Sequence, residues 1–226
     1  MFSLVFVTDL PPIGMGLVIA LLVISLGIHE AAHGWVALKC GDTTARDLGR
    51  ITLNPLPHID LFMTIVLPAI CIMAGVPIFG GAKPVPVNYF NLRRPMRDMA
   101  LVAIAGPFSN FLLGVFFCLC WKLLVQDFGI WEAQALGPQV LLNAFYFNLV
   151  LAAFNLLPIP PLDGSRVMTW LLPSGLREAY VSLERFGLLL VVGLLFLVPG
   201  VLGLVRSTVD LMARSIETIV TLGGAW

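Results

Sequence analysis

The chain has 226 residues, of which 59% are hydrophobic and only 12% charged, with a mean hydropathy of +0.97. This composition excludes an ordinary soluble domain and reads as an integral membrane protein. Lys and Arg balance Asp and Glu to a net charge of zero, so there is no basic footprint for a nucleic-acid partner. The four cysteines, Cys40, Cys71, Cys118 and Cys120, lie mostly in apolar runs and read as small packing residues rather than as disulfides or a metal cluster.

Residues 1–13 carry no Lys or Arg, and the first apolar run continues past Ile28, so a cleaved signal peptide is not expected. Residues 14–38 are long enough to cross roughly 30 Å of hydrocarbon as a helix. In the last third of that helix stands Ile28-His29-Glu30-Ala31-Ala32-His33-Gly34-Trp35, which uses two of the three histidines of the chain. Positions i and i+4 share a helix face, so His29 and His33 can present a ring nitrogen each to one metal ion. Glu30 then points to the flank, placed to take a proton from a water rather than to ligate. The plainer alternative is a pair of core histidines bonded to each other or to carbonyls. Ionisable groups inside a spanning helix favour a functional reading, because their burial must be offset by something.

Residues 39–58 are polar by the standard of this chain, with Ile51-Thr52-Leu53 reading as a short strand before a turn at Asn54-Pro55-Leu56-Pro57. A second apolar stretch, 59–79, is interrupted by Pro68. It leads into Lys83-Pro84-Val85-Pro86-Val87-Asn88, whose alternating prolines forbid a helix and suit an extended edge segment. Further helices are expected over 97–125, containing Ala105-Gly106-Pro107-Phe108-Ser109-Asn110, and over 138–157. The latter breaks at Asn155-Leu156-Leu157-Pro158-Ile159-Pro160-Pro161-Leu162-Asp163-Gly164. A fifth apolar span covers 184–205. Residues 207–226 read as an amphipathic interfacial helix with Arg206, Asp210, Arg214 and Glu217 on its polar side.

Positive charge gathers in loops 39–58, 80–97 and 158–185, while 122–137 has only Lys122, which puts the first three loops on one side, the cytoplasmic one. Residues 59–88 are then expected to dip into the membrane and return. The first and fourth helices run the same way, bringing Asp163 to the level of the histidines. A catalytic zinc site takes three protein ligands and leaves a position for water. Asp163, Asp60, Asp42, Asp47 and His58 are the candidates for the third, and only Asp163 lies in a proline-rich helix break. Asp163-Gly164 also reads as a simple turn dipeptide. His58 is expected to be a solvated interfacial residue. Asn110 and Asn155, amides in apolar helices, could hold a substrate backbone or an oxyanion, or could tie helices together.

His29-Glu30-x-x-His33 on an early span, Gly106-Pro107-x-x-Asn110, the segment Lys83 to Asn88, and Asn155 leading into Leu162-Asp163-Gly164 together make the chain resemble the site-2 proteases, intramembrane zinc metalloproteases, in their minimal prokaryotic branch. The resemblance implies a Zn2+ cofactor held by His29, His33 and Asp163, with Glu30 as general base and Asn110 and Asn155 positioning substrate. It also implies that residues 80–88 pair with an unwound substrate strand. The expected fold is an all-α membrane protein, a bundle of about four to six transmembrane helices with a short re-entrant or extended β-like segment. It forms one domain over 1–226, with a catalytic core at about 14–167, C-terminal helices at about 184–226, and no room for a PDZ or CBS domain. The expected partners are the lipid bilayer and a membrane-protein substrate, in a multi-pass protein of the prokaryotic inner or plasma membrane with its site toward the cytoplasm. A divalent-metal transporter and a non-catalytic membrane scaffold are the competing readings; a transporter needs several weak sites along a path, whereas the sequence offers one compact constellation.

Overall fold

The computed structural model describes residues 10–67, 70, 73 and 80–220. Its described residues form helices and irregular segments with no strand. Helix α1 (Pro12–Lys39) starts on a proline, which occupies a first-turn position whose N–H would have no helical partner. A short turn of helix α2 (Thr44–Asp47) follows, and then α3 (Pro95–Trp121), extended by a π-helical turn at Lys122–Asp127, and α4 (Leu136–Asn155). Beyond the proline-rich break come α5 (Asp163–Leu171), α6 (Ser174–Ser182), α7 (Gly187–Leu197) and α8 (Pro199–Val220).

Among the described residues, three helical stretches are long and apolar enough to cross a bilayer: Pro12–Lys39, Pro95–Asp127 and Leu136–Asn155. They carry large exposed apolar side chains, among them Leu17, Ile24, Leu112 and Phe116, as expected of surfaces that face lipid instead of water. The molecule is therefore an all-α integral membrane protein. Helix α3 is central and packs on α1, α4 and α5. The main core joins Phe117 and Cys118 of α3, Phe145 and Leu149 of α4, and Val205, Val209, Ala213 and Ile216 of α8. Those four α8 residues recur at helical spacing, so one stripe of α8 is buried while Arg206, Asp210 and Arg214 remain exposed. The interfacial helix expected from 207 onward is thus the later part of a longer helix docked on the bundle, and the apolar run 184–205 is divided at Val198–Pro199 because proline cannot continue the preceding helix.

Three further expectations are corrected. Ile51-Thr52-Leu53 forms bends, not a strand. The segment 80–88 is irregular, not β-like: Pro84 and Pro86 lack donors, and the N–H groups of Lys83 and Val85 go to the His58 carbonyl (2.8 Å) and to the Glu30 carboxylate (2.7 Å) instead of a ladder. His58 is not solvated but 2% exposed, its ring beside Gly27 of α1 and its Nε2 3.2 Å from the Thr52 carbonyl.

The dip expected over 59–88 falls partly outside the described residues. Its two ends meet: Gly81 N–H donates to the Met63 carbonyl (3.0 Å) and the Thr64 hydroxyl to the Gly81 carbonyl (2.6 Å). The returning segment is then pinned beyond the end of α1 by Asp42. This fully buried carboxylate accepts bonds from Thr44 N–H (3.1 Å), the Thr44 hydroxyl, Asn88 N–H (2.7 Å) and the Asn91 amide (3.0 Å). Burial pushes its pKa up, but those hydrogen bonds outweigh it and hold the group below the usual carboxylate range.

A carboxylate depressed in this way adds stability that is fully present above about pH 4 and is lost as pH falls through its lower folded-state value. Asp42→Ala, which strands buried N–H donors, is expected to cost about 2–4 kcal/mol at neutral pH. Thermal unfolding in detergent measures this, and the gap between wild type and variant should narrow on acidification.

Candidate active site

His29 and His33 face the same way from α1, one turn apart, and α3 backs them. His33 Nδ1 lies 2.7 Å from the Val102 carbonyl and His29 Nδ1 lies 2.6 Å from Asn110 Oδ1. The Val102 carbonyl can only accept, so His33 carries its proton on Nδ1 and turns the lone pair of Nε2 forward. The rings fit this closely against α3 because Gly106 has no side chain: a Cβ there would stand 2.6 Å from His29 Nε2 and nearer still to His33 Nε2.

Asp163 comes from the first turn of α5. Gly164 behind it is required by packing, because a Cβ at that position would overlap the carbonyls of Leu156 and Leu157 at the end of α4. The dipeptide is more than a turn. It lets α5 start against the end of α4, which carries the carboxylate to the imidazoles: Asp163 Oδ2 is 3.2 Å from His29 Nε2, and Oδ1 is 3.4 Å from His33 Nε2. The two Nε2 atoms are 3.0 Å apart. A tetrahedral zinc ion with bonds of about 2.0–2.1 Å separates its ligand atoms by roughly 3.3 Å, so the three donors already sit at metal-ligand spacing. Asp163 Oδ2 is also buried without a hydrogen-bond partner, an orphaned acceptor that a cation would satisfy. Of the candidate third ligands, Asp42 is committed to its loop, Asp60 caps the turn at Leu61–Val66, Asp47 pairs with Arg46, and His58 bonds to Thr52.

In front of this group is a cavity of about 380 Å³, walled by His29, Glu30, His33, Asp163, Asn155 and the segment at Pro84, Val85 and Val87. Glu30 accepts the Val85 N–H through Oε2. Asn155 reaches the wall from the end of α4, its Nδ2 donating to the Leu151 carbonyl (3.0 Å). Arg166 also lines the cavity and pairs with Glu184. Asn110 is placed elsewhere: it is fully buried behind His29, between that ring and Asn148. Sequence reasoning overlooked Asn148, although it is an amide in an apolar helix on the same terms as Asn110 and Asn155. The Val85 amide and the Val102 carbonyl are backbone groups that carry no side-chain signal at all.

A His2Asp group of two buried imidazoles and a half-buried carboxylate, with Glu30 beside it and a cavity opening on it inside an α-helical membrane bundle, fits a membrane zinc metallopeptidase. The chain belongs to peptidase family M50, whose model matches residues 17–133 and 128–199. It is 40% identical over 185 residues to YwhC of Bacillus subtilis, covering 79% of this chain and 78% of that protein. It is 30% identical over 181 residues to Rip2 of Mycolicibacterium smegmatis (79% and 66%), and 40% identical over 70 residues to MJ0611 of Methanocaldococcus jannaschii (30% and 32%). All three relatives are named as zinc metalloproteases. No solved structure matches the chain. The protein is a zinc metalloprotease.

Because the Gly106 position is filled by any Cβ, Gly106→Ala is expected to push the imidazoles out of register and cut the zinc recovered with purified protein to a small fraction of wild type, with helical content retained; metal analysis beside circular dichroism checks this.

Proposed function

We propose that the chain hydrolyses peptide bonds within or next to the transmembrane segments of other membrane proteins. The observation that carries this reading is the position of a converged His29, His33 and Asp163 group, with Glu30 on the same cavity, in a bundle whose outer faces are apolar. In this reading His29, His33 and Asp163 hold zinc, and the bound ion supplies a Lewis acid that lowers the pKa of a water toward about 7. Glu30 takes the proton of the attacking water and returns it to the leaving amine. Its Oε2 is engaged by the Val85 N–H, which fixes the rotamer and leaves the other oxygen for that transfer.

A substrate helix must unwind before attack, since its amides are otherwise bonded internally. Asn155 and the wall at Pro84–Val87 are where the opened strand lies, and Asn155 supplies an amide for its backbone. Asn110, enclosed behind His29, acts on the ring instead of on substrate. The clustering of Lys and Arg in the loops at 39–58, 80–97 and 158–185 supports a site that opens toward the cytoplasm of a prokaryotic cell and draws its water from there.

Two substitutions test the assignment. Glu30→Gln is expected to keep a full complement of zinc while losing cleavage of co-expressed single-span reporters by about a hundredfold to ten-thousandfold. Asp163→Ala is expected to lose zinc as well. Wild-type cleavage by Glu30→Gln would overturn the mechanism, and zinc uptake by proteoliposomes without any cleavage would favour a transporter.

A further inference from the structure

The acceptor that faces His29 is itself held from behind. His29 Nδ1 lies 2.6 Å from Asn110 Oδ1, and Asn110 Nδ2 lies 3.0 Å from Asn148 Oδ1. Asn148 Nδ2 lies 3.0 Å from Ser25 Oγ and 2.9 Å from the Ala144 carbonyl, and Ser25 Oγ lies 2.8 Å from the Leu21 carbonyl. The row draws on all three spans, and Ser25, Asn110 and Asn148 are each at most 1% exposed.

Its polarity is set at the far end. Backbone carbonyls accept and never donate, so the Asn148 group facing Ala144 must be the NH2; turned over, its oxygen would confront the Ala144 carbonyl, another acceptor, while the Ser25 hydroxyl is already given to the Leu21 carbonyl. Asn148 Oδ1 therefore faces Asn110 and requires a donor there. That turns the Asn110 NH2 toward Asn148 and its oxygen toward His29. An amide oxygen only accepts, so His29 carries its proton on Nδ1 and Nε2 is left bare toward His33 and Asp163. In water a histidine ring prefers the opposite tautomer, with the proton on Nε2, which would point an N–H into the metal site.

We infer that Asn148, backed by Ser25 and the Ala144 carbonyl, is a positioning residue that selects the metal-binding tautomer and orientation of His29 through Asn110. This rests on the reading of His29 as a zinc ligand. Asn148 touches neither the metal group nor the cavity. It works by forbidding the flipped Asn110 that would accept a proton-bearing Nε2 tautomer.

The control is close at hand. Asn143, also on α4 and buried, spends its NH2 on the Gln139 carbonyl and has no part in the row. Asn148→Leu and Asn143→Leu each delete one buried amide, but only the first should matter to the metal. Starting from zinc-loaded full-length protein in detergent, competition with a chelator is expected to show zinc held about ten- to a hundredfold more weakly in Asn148→Leu, and within about twofold of wild type in Asn143→Leu. Unchanged affinity in Asn148→Leu, or an equal loss in both, overturns the inference. Should Asn148→Leu fail to fold, the wild-type chain decides: after zinc is stripped, 15N spectra of labelled histidine are expected to show the His29 proton on Nδ1, and a proton on Nε2 overturns the inference. A wild-type chain that holds no zinc would instead sink the reading of the site itself.

Discussion

A polar group inside a bilayer has no water to fall back on, and that constraint shapes this molecule more than any other. Nearly every buried polar side chain around the site has a partner on another helix: His33 on the α3 backbone, His29 on Asn110, Asn110 on Asn148, and Asn148 on Ser25 of α1. The exception is the meeting of the two Nε2 atoms with Asp163. On the tautomers inferred above, three acceptors converge there, and a bound cation would satisfy them.

The three spans are tied by polar contacts where apolar contacts alone would leave them free to slide. Lipid tails compete with Leu and Val for apolar helix faces, so burial does not drive association in a bilayer as it does in water; close packing and interhelical hydrogen bonds fix the register instead. Close packing is visible at Gly106, where α3 comes against both imidazoles, and at Gly164, where α5 begins on the carbonyls that end α4. Outside the hydrocarbon Asp42 does similar work, holding the Asn88–Asn91 stretch so that Val85 can reach Glu30.

How much of this was legible in the residues follows from where the signal resides. The spans at α1, α3 and α4 are readable because some twenty apolar residues in a row admit few other structures. The histidine pair is readable because helical period alone puts i and i+4 together. Asp163 stands beside them across more than half the chain, and only the proline-broken end of α4 hinted at it. His58 was misjudged because a histidine flanked by prolines and an aspartate looks wet, whereas its burial depends on a loop folding back against α1. The failed extended segment at 80–88 has a plain cause: extended backbone becomes a sheet only if a neighbouring strand accepts its donors, and here the His58 carbonyl and the Glu30 carboxylate take those of Lys83 and Val85. The Asn148 row was invisible for a different reason, since an amide in an apolar helix announces a partner without saying which.

The division of the proposed ligands between the opening helix and residue 163 has a consequence for how such a protein comes into being. A chain threaded into the membrane from its N-terminus delivers both imidazoles and Glu30 early, while the Asp163 carboxylate arrives only after α3 and α4 have been laid down. Until then the hydrolytic apparatus is disarmed. On the proposed ligand set, the nascent protease cannot cut its neighbours in the insertion machinery, and the ion that arms it also clasps α5 to the first helix.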